Sequence, residues 1–264
     1  MNIDLAGKKA LICGSTQGIG RASAQVLAGL GATVILFSRD EKKLEETLKT
    51  LPDTAGDNRL HQYLVADFSH PAEVTNAIDK YIEDHEGVHI VVNNTGGPPA
   101  GRTIDADPEE FRVAFNQHLI SSQIITKAMT SFMIRENYGR IINIISTSVK
   151  IPIEGIGVSN TIRGAVASWA KTLANELGQY GITVNNMLPG STLTGRLEAI
   201  FEMRSNKSGR SLEEVREESK KEIPLNRFAQ PEEVANAVAF LSSPAAAYIS
   251  GINLPVDGGR TGCL

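Results

Sequence analysis

A doubly wound α/β fold, with a parallel sheet of about seven strands flanked by helices, is predicted from three observations. Short apolar, β-branched runs alternate with helix-period segments from the N-terminus to about residue 190. A glycine-rich turn, Cys13-Gly14-Ser15-Thr16-Gln17-Gly18-Ile19-Gly20, joins the first apolar run to the first helical segment. No internal repeat, low-complexity tract or linker-like stretch divides the 264 residues, so one domain over 1–264 is expected.

The expected strands are residues 10–13, 33–37, 61–66, 89–92, 140–145, 182–188 and 252–256. Between them, apolar positions at helical spacing predict helices over 21–30, 41–51, 72–83, 108–135, 162–180 and 231–241. Two segments break the alternation. The Gly/Pro-rich stretch 94–102 reads as a loop at the C-terminal end of the fourth strand. Residues 190–224, dense in Lys, Arg and Glu, read as a helical insertion riding over the sheet.

Composition narrows the partner. With 26 Lys+Arg against 30 Asp+Glu, the net charge is −4. That balance argues against nucleic acid or an anionic membrane, both of which need a basic face. A small molecule or another protein is the expected partner. Cys13 and Cys263 lie at opposite ends of the chain, which predicts free thiols and no metal site. The N-terminus lacks the basic-then-apolar order of a secretory signal. No run reaches the roughly 18 apolar residues that span a bilayer, and a cytoplasmic protein is expected.

The glycine turn carries the first chemistry. It follows a strand and opens a helix, so its free N–H groups and the helix dipole favour a phosphate, and a Cβ at Gly14 or Gly18 would obstruct the approach. This is the expected dinucleotide turn of a Rossmann-type domain. About 20 residues on, where an NAD site places a carboxylate on the ribose diol, stand Ser38 and Arg39. A cation beside a small hydroxyl favours a 2′-phosphate, hence NADP(H) over NAD(H). The competing reading leaves Arg39 solvated and has Asp40 cap the next helix.

These motifs together resemble the short-chain dehydrogenase/reductase family, 3-oxoacyl-acyl-carrier-protein reductases included. Gly14-Ser15-Thr16-Gln17-Gly18-Ile19-Gly20 matches the family's cofactor turn. Asp67, with Phe68 beside it, matches the acid that contacts adenine. Asn93-Asn94-Thr95-Gly96 is close to the family's Asn-Asn-Ala-Gly motif. Pro189-Gly190, with Thr194 beyond, resembles the nicotinamide-side loop, and residues 248–259 resemble the last strand and C-terminal signature. The resemblance implies hydride transfer between a nicotinamide and a carbonyl or alcohol substrate, an acyl thioester among the candidates. It also implies a homotetramer or homodimer, with 108–135 and 162–180 packed across one interface and the last strand across another.

The same resemblance implies a catalytic Asn, Ser, Tyr and Lys. Asn116 matches the Asn that holds a relay water, and Ser146 matches the Ser that hydrogen-bonds the substrate carbonyl. The Tyr and Lys positions fall at Ser159 and Arg163. A serine hydroxyl is a poorer proton donor than a phenol. Arg163 can still orient the cofactor ribose and keep a positive charge beside the oxyanion, without readily giving up a proton. Three outcomes stay open: an oxidoreductase with an atypical dyad, a catalytically silent NADP(H) sensor or scaffold, and an enzyme that reduces a polarised double bond. The proton of an active enzyme would come from Lys150 or Glu154, or the two are solvated loop charges.

Other features carry less. His85 and His89 are four apart, but Gly87 between them should end the helix, so a metal pair is not expected. Of the remaining histidines only His118 falls near the expected site, and a bystander role is favoured for it. The charged stretch 201–221 mixes acids with bases and reads as a lid over the substrate.

Overall fold

Alternation along each strand commits the sheet to two covered faces. Ala10 and Ile12 turn to one side and Leu11 and Cys13 to the other, all nearly inaccessible. The computed structural model describes residues 1–52 and 61–263. Its strands are β1 (Lys9–Cys13), β2 (Thr33–Ser38), β3 (Gln62–Val65), β4 (Ile90–Asn93), β5 (Gly139–Ile144), β6 (Ile182–Pro189) and β7 (Asn253–Val256). They pair in parallel in the order β3-β2-β1-β4-β5-β6-β7.

Helices cover both faces. Helices α1 (Gly18–Gly29) and α9 (Pro231–Ser242) pack Leu27 and Val238 into the cluster that holds Ile12, and α2 (Glu41–Leu48) adds Leu44. On the other face α3 (Pro71–His85), α5 (Ser121–Arg135) and α6 (Gly157–Leu177) bury Ile78, Met129 and Ala170 around Leu11. The chain reverses its winding between β1 and β4. Such a switch point opens a crevice at the strands' C-terminal ends, here beside Gly14 and Asn94.

A row of asparagine side chains fixes the height of those ends. Asn93 donates to Asn143 (2.9 Å), Asn143 to Asn186 (3.0 Å) and Asn186 to Asn253 (2.8 Å), each from Nδ2 to Oδ1 across directly paired positions of β4 to β7. A one-residue slip would break every bond in the row and bury unpaired amides. The loops that follow these strands carry Asn94, Ser146 and Gly190, so the row sets their relative positions.

All seven expected strands form, shifted by at most one residue at either end. The helices differ more. The predicted helix 108–135 is interrupted: α4 (Pro108–Phe115) gives way to a π-helical turn, Asn116–Ile120, before α5 begins. Helix α6 begins five residues before the expected start, with Gly157 at its N-terminus, where a Cβ would lie 2.0 Å from Thr103 Oγ1. The insertion is helical as expected, forming α7 (Gly195–Ser208) and α8 (Leu212–Lys221). Phe201 and Phe228 meet there at 5.3 Å between ring centres, in a small apolar cluster with Leu197, Val215 and Ile223.

His85 ends α3, and His89 is buried beside β4, where its Nδ1 accepts from the Lys9 backbone N–H at 3.0 Å. No group of His, Cys, Asp and Glu suited to a metal occurs among the described residues. Burial, then the Lys8 charge, pushes the His89 imidazole down to about 4, against the opposing pull of Glu136. The folded protein therefore holds His89 neutral while the unfolded chain takes up a proton below its ordinary value near 6.5. Stability contributed by His89 is complete above about 6.5 and is lost as pH falls toward about 4, with the slope of about one proton. Denaturant unfolding across this range should show that loss, and His89→Asn, which keeps an acceptor but does not titrate, should flatten it.

Candidate active site

The turn after β1 is built around close approaches. Gly14 and Gly18 have φ of +57° and +53°, and a Cβ on Gly14 would stand 2.6 Å from the Asn94 carbonyl oxygen. Asn94 Nδ2 donates to the carbonyls of Cys13 and Gly14, both at 3.3 Å, tying β1 to β4 across the switch point. Ser15 is fully buried and its Oγ accepts from the Phe37 N–H at 3.0 Å. Burial pushes the Cys13 thiol up to about 12 although a backbone hydrogen bond at Asn94 opposes it, so the thiol stays protonated. Gln17 begins α1 without a side-chain cap, leaving first-turn N–H groups facing the crevice. That uncapped, glycine-lined end fits a pyrophosphate.

At the end of β2, Ser38 is buried and Asp40 is committed to capping α2, accepting from the Lys43 N–H at 3.2 Å. No free carboxylate remains there for a ribose diol. Arg39 and Lys43 both line the crevice, and Arg39 Nη1 lies 3.2 Å from Asp67 Oδ2. Burial raises the Asp67 carboxyl, but hydrogen bonds from Ser69 and Arg39 outweigh it and hold the group below the usual carboxylate range. Phe68 packs edge-on against Phe37 at 4.9 Å.

From this end a cavity of about 860 Å³ runs along the C-terminal strand ends to α7. It gathers the predicted cofactor residues Gly14, Thr16, Gln17, Gly18 and Ile19, then Ser38, Arg39, Asp67 and Phe68. Farther along stand Asn94, Thr95, Gly96, Pro189, Gly190 and Thr194. Ser15 and Gly20 support the turn from behind. Ser146, Ser159 and Arg163 line the same cavity. Ser146 Oγ accepts from the Ser148 N–H at 3.1 Å, which leaves its own proton free to donate. Ser159 and Arg163 are one turn apart on α6, and Arg163 Nη1 donates to the Ile144 carbonyl at 2.8 Å. Burial, then the charge of Arg196, pushes the Arg163 guanidinium down to about 10, which leaves it charged at neutral pH.

Asn116 departs from its expected place. It closes α4 and opens the π-helical turn, and it is not among the cavity-lining residues, whereas Gln117 is. The wider turn changes which side chains face inward. His118 is buried against Thr95, with Nδ1 2.5 Å from Thr95 Oγ1. Burial, followed by Arg163, holds its imidazole well below the ordinary histidine value despite a hydrogen bond at the Gly96 backbone. Glu154 lines the cavity and Lys150 does not.

A family model described as enoyl-(acyl carrier protein) reductase matches residues 14–261. The 3-oxoacyl-[acyl-carrier-protein] reductase FabG of Vibrio cholerae is 31% identical over 257 residues, covering 97% of this chain and 98% of that protein. The chain belongs to the short-chain dehydrogenase/reductase family. It is an oxidoreductase. Short-chain reductase protein NovJ of Streptomyces niveus is 30% identical, covering 95% of this chain and 93% of its own. Among solved structures, L-sorbose reductase from Gluconobacter frateurii, complexed with NADPH and L-sorbose, matches the whole of both chains with a TM-score of 0.91 at 28% identity. A gluconate 5-dehydrogenase from Burkholderia cenocepacia, in complex with NADP and tartrate, gives 0.87 at 27% identity, covering 100% of this chain and 98% of that one.

Within this short-chain dehydrogenase/reductase, two parts of the site were not legible from motifs. His118 could be placed near the site, but its burial against Thr95 follows from the π-helical turn, which leaves no clear mark in the sequence. Arg196 lies in the insertion, yet its Nη2 donates to the Pro98 carbonyl at 2.7 Å, 98 residues away. Its i,i+4,i+8 spacing with Ile200 and Arg204 on α7, all of them lining the cavity, was the available signal.

Proposed function

We propose that the protein is an NADP(H)-dependent reductase of a small-molecule carbonyl that works without the family's phenolic proton donor. The observation that carries this is the single cavity in which the glycine turn, Arg39 and Lys43 at one end are continuous with Ser146 and Arg163 farther along. The absence of a free carboxylate at the end of β2, together with two cations there, supports NADP(H) over NAD(H). The NADPH and NADP complexes of the two structural relatives support the same choice.

Gly14, Gly18 and the open N-terminus of α1 would hold the pyrophosphate, while Thr194 and Gly190 border the nicotinamide end. Bound NADPH supplies a hydride to the substrate carbonyl carbon. Ser146 donates its free hydroxyl proton as a hydrogen bond to the carbonyl oxygen, and Arg163 presents a fixed positive charge where negative charge develops. Ser159 is too short and too weak an acid to replace a phenol, so the last proton arrives from solvent through water, which Glu154 on the cavity wall would help to position. Val113, Phe115 and Ile134 on α4 and α5, and Tyr248 near β7, are exposed and apolar, which supports assembly as a homotetramer through these two surfaces. No helix among the described residues is long and apolar enough to cross a membrane.

The test is deuteride transfer. The protein is incubated with both C4-deuterated NADPH stereoisomers and a metabolite and acyl-thioester extract, and products are sought by mass spectrometry. Deuterium on a carbinol carbon is the expected result. Deuterium at the carbon β to a retained carbonyl would instead assign reduction of a conjugated double bond, the reading that the missing phenol and the enoyl-reductase family description favour. No transfer in a preparation that binds NADPH would make the protein a silent nucleotide-binding member of its family.

A further inference from the structure

Most arginines of the insertion and its flank have carboxylate partners: Arg210 pairs with Glu218 (2.7 Å), Arg216 with Glu198 and Arg227 with Glu233 (2.7 Å). The three that line the cavity from α6 and α7, Arg163, Arg196 and Arg204, have none among the described residues. Arg163, only 8% exposed, uses one N–H on the Ile144 carbonyl, and Arg196 uses one on the Pro98 carbonyl. A guanidinium has five N–H donors in a planar fork. The remaining donors therefore face the cavity or its walls.

The carboxylates of the cavity do not neutralise them. Asp67 is taken by Arg39, Asp40 by Lys43 and Glu222 by Arg260, and Glu154 forms no ion pair with either arginine. Arg196 is close enough to Arg163 to disfavour its buried charge. His118 behind them is held neutral and adds no compensating anion. Gly97 makes room for this arrangement, since a Cβ there would lie 3.2 Å from Arg196 Nε. Holding two like charges together in a partly desolvated wall is costly unless an anion joins them. The cofactor's pyrophosphate has a separate place at the open end of α1.

We propose that Arg163 and Arg196 form a subsite for an oxyanion group on the substrate, so that the carbonyl compound reduced here carries a carboxylate or a phosphate ester. The proposal rests on the reductase reading above and narrows it. Arg204, two turns beyond Arg196, lines both this cavity and a second one of about 800 Å³, whose wall holds Arg102, Lys207, Arg210 and Arg260 beside Glu154, Glu218 and Glu222.

Calorimetric titration of tartrate, glycerol 3-phosphate and the neutral polyol threitol into the protein, with and without saturating NADPH, tests the subsite. Saturable binding of tartrate or glycerol 3-phosphate is expected, and which of the two binds names the group; threitol should not bind. Arg196→Gln should weaken the anion at least tenfold while NADPH affinity stays within threefold, and Arg163→Gln should weaken the anion by as much. Arg135→Gln, a surface variant outside the cavity, should change neither. Equal binding of threitol, absence of binding by both anions, or a parallel loss of NADPH affinity in Arg196→Gln would overturn the subsite. Arg196 lies on the insertion, so its variant keeps the test usable if Arg163→Gln fails to fold. Failure of NADPH itself to bind would overturn the cofactor reading instead, and the titration without NADPH then still decides the anion site.

Discussion

Gly20→Ala should raise the NADPH dissociation constant at least a hundredfold. A Cβ at Gly20 would lie 2.2 Å from the Gly14 carbonyl oxygen and 2.7 Å from Asn94 Nδ2. The first is backbone and cannot swing away, and the second is the amide that ties Cys13 and Gly14 to β4. The added carbon must push the turn off the helix, which moves Gly14 and spoils the N–H array intended for the pyrophosphate. Overpacking of this kind costs about 1–3 kcal/mol in stability. Gly164→Ala, in α6 with nothing within 4 Å of the new Cβ, is the contrasting variant. It should bind NADPH like the wild type and gain about 0.5–1 kcal/mol from the better helix former. Fluorescence titration of NADPH and denaturant unfolding measure both. Binding by Gly20→Ala within tenfold of wild type would remove the glycine turn from the cofactor site.

The strands and the cofactor turn could be read from sequence because their signals are local. Short β-branched runs, a two-residue alternation and glycines at a strand end each act within a few positions. The start of α1 was placed three residues late because Gly18 and Gly20 are poor helix formers that a propensity reading assigns to the loop. The start of α6 was missed for a similar reason: Gly157, Ser159, Asn160 and Thr161 are weak helix formers held in place by packing against Thr103 and by an Asn160 bond to the Ile153 carbonyl. The π-helical turn at Asn116 obeys no pattern of apolar spacing, so Gln117, which lines the cavity, and the burial of His118 against Thr95 were hidden, although His118 could be placed near the site. Arg163 could be placed by its spacing from Ser146. What makes it unusual, a second unpaired guanidinium from α7, is a tertiary fact.

Restoring the family's pair at the substituted positions tests the largest chemical claim. Ser159→Tyr with Arg163→Lys should raise kcat for small neutral ketones with NADPH by about 10²–10⁴-fold, the range that general acid catalysis contributes. Ser159 is 7% exposed and lines the cavity, so a tyrosine there extends its phenol into the space beside Ser146 instead of into packed core. A lysine one turn later keeps a cation at the phenol and favours its deprotonated form, moving its acidity toward the working pH. Neutral ketones are the proper substrates because exchanging guanidinium for ammonium removes the bidentate fork that an anionic substrate would use. On such an acid the same double variant should lose affinity while gaining turnover, a split between KM and kcat that no general loss of folding produces. A double variant no faster than wild type on neutral ketones would mean that the wild-type proton route is already as effective as a phenol, and would make Glu154 on the cavity wall the next residue to vary.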